Sequence, residues 1–182
     1  MANVQFVSDK RKGRAHQMNY GALRAKGDVL VFLHADVFPP EGFFEDMEQT
    51  LKSGYDAGFF SYQFDKDSFL LRINASFTKK DGLFTGGGDQ CLFIRKSIFE
   101  QLGRFNNSQV LMEDFEFFGR LKKAKIPYKI VQNNLIVSAR KYDNNSYLRV
   151  NLSNLLLVIL FRLKVPAAKL KSLHYQLLHV PR

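Results

Sequence analysis

Four short segments of this 182-residue chain hold the side chains that could do chemistry. In FLHADVFPP an apolar run, residues 29–33, ends on His34 and Asp36 just before Pro39 and Pro40 turn the chain. A carboxylate at the carboxyl end of a buried parallel strand lies where open α/β sheets place their ligands, and a hard divalent cation bound to phosphates needs such an oxygen. The alternative for Asp36 is an Asx-type turn ahead of the prolines. His34 reads either as a ligand contact or as a rim residue hydrogen-bonded to backbone.

In LMEDFEFFGRLKK, positions 114, 117, 118 and 121 share one helical face, so Asp114 heads a stripe of Phe117, Phe118 and Leu121. Partial desolvation would raise its pKa and make it a better general base than a solvated aspartate. Glu113 and Glu116 are expected to project off that stripe. The competing reading is a set of acids that the helix dipole stabilises by about 0.3–1 kcal/mol each, with Glu116 pairing to Arg120. GGGDQ, residues 86–90, offers glycines for close backbone approach, with Asp89 as an acceptor and Gln90 as an amide fork; otherwise it is a connector. Lys10, Arg11, Lys12 and Arg14 precede a helix amino terminus, where an anion would be favoured, or form a solvated basic turn.

Alternating elements must position these groups. Residues 4–7 read as a strand, followed by a helix with Ala15, Met18, Ala22 and Ala25 at helical spacing and a stop at Gly27. Residues 29–33 lack polar alternation, as expected of a central parallel strand covered on both faces. Pro40 opens a helix with Phe43, Phe44, Met47 and Leu51 inward. Strands are expected at 57–64 and 91–94, and as two short pieces at 128–131 and 135–138. Helices are expected at 69–77, in SIFEQLG ended by Gly103, at 113–123, and twice after Tyr147 with a break at Val165 and Pro166. The pattern is that of an α/β layer fold, organised as a unit over 1–145 and helices over 146–182.

A net charge of +10 points to anionic partners, and 46% hydrophobic residues with 18 Phe mark a globular chain. Nucleic acid is not expected, because the phenylalanines fall at buried positions and no basic stripe is interleaved with exposed aromatics. The single cysteine, Cys91, excludes an internal disulfide framework and a cysteine-based zinc site and fits a reducing, cytoplasmic setting. The first residues lack the apolar core of a signal peptide. Residues 147–161 are apolar nearly all round, and Leu170, Leu173 and Leu177 recur beside Lys164, Lys169 and Lys171. This tail either lies in a membrane interface, peripheral at the inner face, or packs on the domain or a dimer partner.

GRAHQMNYGALRAKGDVLVFLHAD, GGGDQCLFIRKSIFEQLGRF and LMEDFEFFGRLKKAK, in that order, resemble the family 2 glycosyltransferases, in particular a small bacterial "transferase 2" branch. The resemblance covers residues 13–130. It implies a GT-A fold, a Rossmann-like sheet that binds a nucleotide-sugar donor and a divalent cation, Mn²⁺ or Mg²⁺. On it Asp36 is the metal ligand and Asp114, with Glu113 beside it, the catalytic base of an inverting hexosyl transfer to a hydroxyl acceptor. Asp89 and Gln90 would line the acceptor side, and Arg14, Asn19 and His34 are further donor or acceptor contacts. A membrane-associated tail would suit a lipid-linked acceptor. The resemblance lacks the family's first two strands, which bind the nucleoside, so residues 4–7 would be its third strand. The expectation is a shortened product, or one completed by another chain or a second copy. The alternative function is that of a catalytically impaired binding or interaction module.

Overall fold

The structure, a computed structural model, describes residues 4–178. Residues 1–3 and 179–182, the outer ends of the two units expected from the sequence, lie outside the described residues. Five strands, β1 (Val29–Phe32), β2 (Val37–Phe38), β3 (Ala57–Phe64), β4 (Leu92–Arg95) and β5 (Tyr128–Val137), form one mixed sheet in the order β1-β4-β3-β5-β2. Only β3 and β5 are parallel. The helices are α1 (Arg14–Arg24), α2 (Phe43–Lys52), α3 (Phe69–Ser76), α4 (Lys96–Gln101), α5 (Glu113–Lys123), α6 (Tyr147–Arg162) and α7 (Ala167–Leu177).

β1 and β2 lie on opposite edges of this sheet, yet only residues 33–36 separate them. Five residue steps reach at most about 18 Å, while five flat strands measure about 19 Å edge to edge. The sheet therefore curls, and the segment bearing His34 and Asp36 crosses its open end.

Side chains alternate between two cores, as a period of two demands. Phe59, Leu92 and Ile94 face Phe99, Phe117 and Leu121 of α4 and α5, whereas Phe60, Cys91 and Phe93 face Phe43, Met47 and Leu51 of α2. Both faces of the central strands are buried, which explains their unbroken apolar runs.

Several expectations need correcting. β1 is an edge strand, antiparallel to β4, with Val31 and Leu33 exposed, because its only strand partner among the described residues is β4. Residues 4–7 form no strand and are exposed. α1 stops at Arg24, before Gly27. Phe44 is 73% exposed, since one residue step turns it about 100° away from the row of Phe43, Met47 and Leu51. The two short strands expected near 128–138 are one strand, β5. Phe60 pairs with Val131 but Tyr62 with Leu135, so three residues of β5 oppose one of β3 in a bulge. Ser61 Oγ donates to Asn134 Oδ1 across it at 2.6 Å.

Candidate active site

α5 begins abruptly. Its cap residue Met112 is left-handed, with φ 64°, and offers no side-chain cap, so Glu113 and Asp114 take the first turn where the dipole favours negative charge. The buried row of α5 is Glu113, Phe117 and Leu121, with Phe118 on its flank. Glu113, expected to project away, is only 1% exposed. Spacing of four carries it onto the same face as the phenylalanine below.

Arg14, the first residue of α1, is the cation that makes this burial possible. Its Nε lies 3.0 Å from Glu113 Oε1 and its Nη2 is 3.1 Å from Asp114 Oδ2. Glu113 Oε1 has no directed hydrogen bond, so charge alone holds that pair. The same Nη2 lies 2.5 Å from His34 Nε2. A guanidinium cannot accept, so this contact requires an unprotonated Nε2 and places the ring proton on Nδ1. Nδ1 faces Asp89 Oδ1 at 3.6 Å, and Asp89 Oδ2 is 3.5 Å from Lys141 Nζ. α5, α1, the crossover segment, the 3₁₀ turn Gly88–Gln90 and the segment after β5 thus contribute polar groups to one chain of contacts, with the His34 ring between Arg14 and Asp89.

Gly88 sets the spacing within it. A Cβ there would overlap the His34 ring and lie 2.7 Å from Asp114 Oδ2, so a side chain would prise the histidine and the carboxylate apart. Burial pushes the Asp114 carboxyl up to about 6, the neighbouring Glu113 charge adds to the rise, and Arg14 opposes it. Burial would raise Asp89 as well, but hydrogen bonding from His34 and the Lys141 charge outweigh it and hold Asp89 below the ordinary carboxylate range.

These groups form one end of a cavity of about 480 Å³. Arg14, His34, Asp89, Asp114 and Lys141 line the polar end, and Phe77, Phe84, Phe115, Leu152, Leu155 and Val158 the apolar walls. Gln90 reaches the lining, but its Oε1 accepts from the Gly86 N–H at 3.0 Å and its Nε2 donates to the Thr78 carbonyl at 3.3 Å, so its amide braces the glycine loop. Asn19 is not in the lining. Its amide donates to the Phe105 carbonyl and accepts from the Phe105 N–H, stitching α1 to that loop. Asp36 also lies outside, with Oδ2 accepting from Arg140 Nη2 at 2.9 Å.

Sequence reasoning missed Lys141 and Arg140, although SARKY follows the carboxyl end of a strand parallel to β3, where ligands gather. Among the described residues no group of three His, Cys, Asp or Glu side chains is placed to cage a cation. A cation that arrives with diphosphate oxygens asks less of the protein, namely one or two carboxylates. Asp36, half-exposed and paired through Oδ2 with Arg140, fits that lesser demand.

Among solved structures, a mannosyltransferase from Pyrobaculum calidifontis in complex with GDP-Man and Mn²⁺ superposes with a TM-score of 0.53 at 13% identity, over 90% of this chain and 50% of that one. The catalytic domain of Drosophila β1,4-galactosyltransferase 7 in complex with xylobiose gives a TM-score of 0.46 at 21% identity, over 66% of this chain and 46% of that one. The chain spans about half the length of either protein. No curated protein matches it. The mixed sheet flanked by helices is the GT-A fold of the nucleotide-sugar transferases. Residues 3–124 match glycosyl transferase family 2, and the chain belongs to that family.

Proposed function

We propose that this chain transfers a hexosyl group from a nucleotide-sugar donor to a hydroxyl of an acceptor seated in the 480 Å³ cavity, with inversion at the anomeric carbon. Residues 1–145 would form the transferase unit and 146–182 a helical appendage that closes the cavity. The observation that carries this reading is Asp114, a carboxylate raised to about 6 on the cavity wall and fixed from beneath by Arg14. A base tuned close to neutral pH takes a hydroxyl proton far better than a solvated aspartate does. A single carboxylate acting on the attacking hydroxyl suits one displacement from the face opposite the departing diphosphate.

Glu113 would act beneath Asp114, keeping its proton affinity high, and Arg14 would hold both carboxylates in place. Asp89 and His34 would orient acceptor hydroxyls, while Asn19 and Gln90 position the loops that carry them. Asp36 would hold a divalent cation, which when bound supplies Lewis-acid neutralisation of the leaving diphosphate. Arg140 and Lys141 add positive charge at the same end.

The test is release of nucleoside diphosphate from a panel of nucleotide sugars with Mn²⁺, by wild type and by Asp114→Asn. Turnover by wild type that the variant loses supports the reading. Equal turnover in both removes Asp114 from the chemistry.

A further inference from the structure

Building on the acceptor reading of the cavity, we propose that the exposed apolar face formed by α3 and α6 docks on an anionic lipid bilayer. The cavity then opens toward the bilayer, and the acceptor is a membrane-borne lipid with a hydroxylated headgroup. Three observations support this.

First, α6 has two apolar faces, and only one is covered. Val150, Leu157 and Val158 are buried, whereas Leu148, Leu152, Leu156, Ile159 and Leu163 recur at steps of three and four on the exposed side. Leu148 and Leu163, at its two ends, are 67% and 70% exposed. Phe69, Ile73 and Phe77 make a second exposed row at steps of four along α3 and just past its end. The two helices meet where Asn74 Nδ2 donates to Asn151 Oδ1 at 2.5 Å. Single exposed apolar residues are ordinary, but two such rows on helices that touch mark an interaction surface.

Second, this surface is continuous with the cavity. Phe77, Phe84 and Leu152 all line the cavity and are still 70%, 44% and 62% exposed. An apolar tail lying along the mouth would meet apolar side chains while its headgroup reached the polar end at Asp114 and His34. The acceptor oxygen would bond to the anomeric carbon as the bond from that carbon to the diphosphate breaks. Its proton would pass to Asp114, and the nucleoside diphosphate would leave with the bonding pair.

Third, the charge around the surface selects the kind of bilayer. No acidic residue lies between Asp143 and residue 178, while Arg149, Arg162, Lys164, Lys169 and Lys171 fall on α6, α7 and their connection; beside α3, Asp67 pairs with Arg72 and Asp81 with Lys122, and Lys79 and Lys80 follow Phe77. Cations flanking an apolar helical face draw anionic headgroups. Among the described residues no helix is long and apolar enough to cross a membrane, so this surface would lie in the interface.

Co-sedimentation of the full chain with vesicles tests the proposal without any sugar donor, so its failure is separable from failure of the transferase reading. Wild type should sediment with phosphatidylglycerol vesicles, bind phosphatidylcholine vesicles about tenfold less, and be released by salt. Leu148→Glu with Leu163→Glu, neither of which lines the cavity, should abolish binding while leaving the thermal melt and any turnover of a water-soluble acceptor unchanged. A polarity-sensitive dye on Phe77→Cys should shift to the blue on adding the anionic vesicles, and the same dye on Phe44→Cys should not; Cys91 is buried and will not compete. Wild type that stays in the supernatant overturns the proposal, as does a dye at Phe77 that ignores bound vesicles. A dimer in sedimentation velocity that the double variant dissolves would instead assign the surface to a second copy of the chain.

Discussion

Asp114 and Asp36 are two aspartates of one chain in opposite settings. Asp114 is desolvated, backed by the buried Glu113, pinned by Arg14 and packed against Gly88. Asp36 is half-exposed and has one partner, Arg140, across the mouth of the curled sheet. Among the described residues the proposed base is enclosed by Glu113, Arg14 and Gly88, whereas the proposed metal ligand has a single charged partner. On the proposed reading the difference teaches that the acceptor end would be preorganised, while the donor end would depend on what the donor and its cation bring.

The sharpest way to break this contrast is to neutralise each aspartate. Asp114→Asn should lower turnover by about 10²–10⁴, the usual worth of a general base, while leaving the thermal shift given by Mn²⁺ and a nucleoside diphosphate intact. Asp36→Asn should do the reverse to the thermal shift, erasing its metal-dependent part. If Asp114→Asn erased that shift as well, the two ends would not be separable.

Crowding the built end should come next. Gly88→Ala would force His34 away from Asp114, and we expect a loss of turnover of about tenfold or more, with destabilisation of about 1–3 kcal/mol in denaturant melts. Arg14→Met would leave Glu113 buried without its counter-charge. Breaking such a pair costs about 3–5 kcal/mol when both partners are buried, and the exposure of Arg14 puts this case at the low end. The measured loss should shrink in acid, as Asp114 takes up its proton.

The smallest effect is a stability profile. The Asp114 carboxyl is raised in the folded chain, so its contribution to stability is complete below the unfolded value near ~4 and is lost as pH rises through about 6. Wild type should therefore melt lower at pH 8 than at pH 5 by an amount that Asp114→Asn, already neutral, does not show. Identical slopes would mean that Asp114 is solvated.

The sequence was most legible where a local pattern decided the structure. β3 and α5 have the limits expected, because an unbroken strand run and a row at helical spacing leave little choice. It was least legible where partners far along the chain decide. Residues 29–33 are as apolar as a central strand, yet β1 ends up at an edge, since what covers a strand is set by pairing with β4 sixty residues away. Glu113 was misplaced because only Arg14, a hundred residues earlier, makes its burial tolerable. Asp36, His34 and Asp114 were all singled out from local context, but that context could not tell that two of them share a cavity and the third faces Arg140. Lys141 lies three residues past the strand expected at 135–138, but only the parallel pairing of β5 with β3 makes that strand end a place where ligands gather.

The most direct test of the central claim, that Asp114 is a desolvated base held in place before any substrate arrives, is a carboxyl-carbon NMR titration of the free protein, with the Asp114 resonance identified by its absence in Asp114→Asn. The account predicts a midpoint of about 6. A midpoint near the ordinary aspartate value of ~4 would contradict it and leave Asp114 as a helix cap.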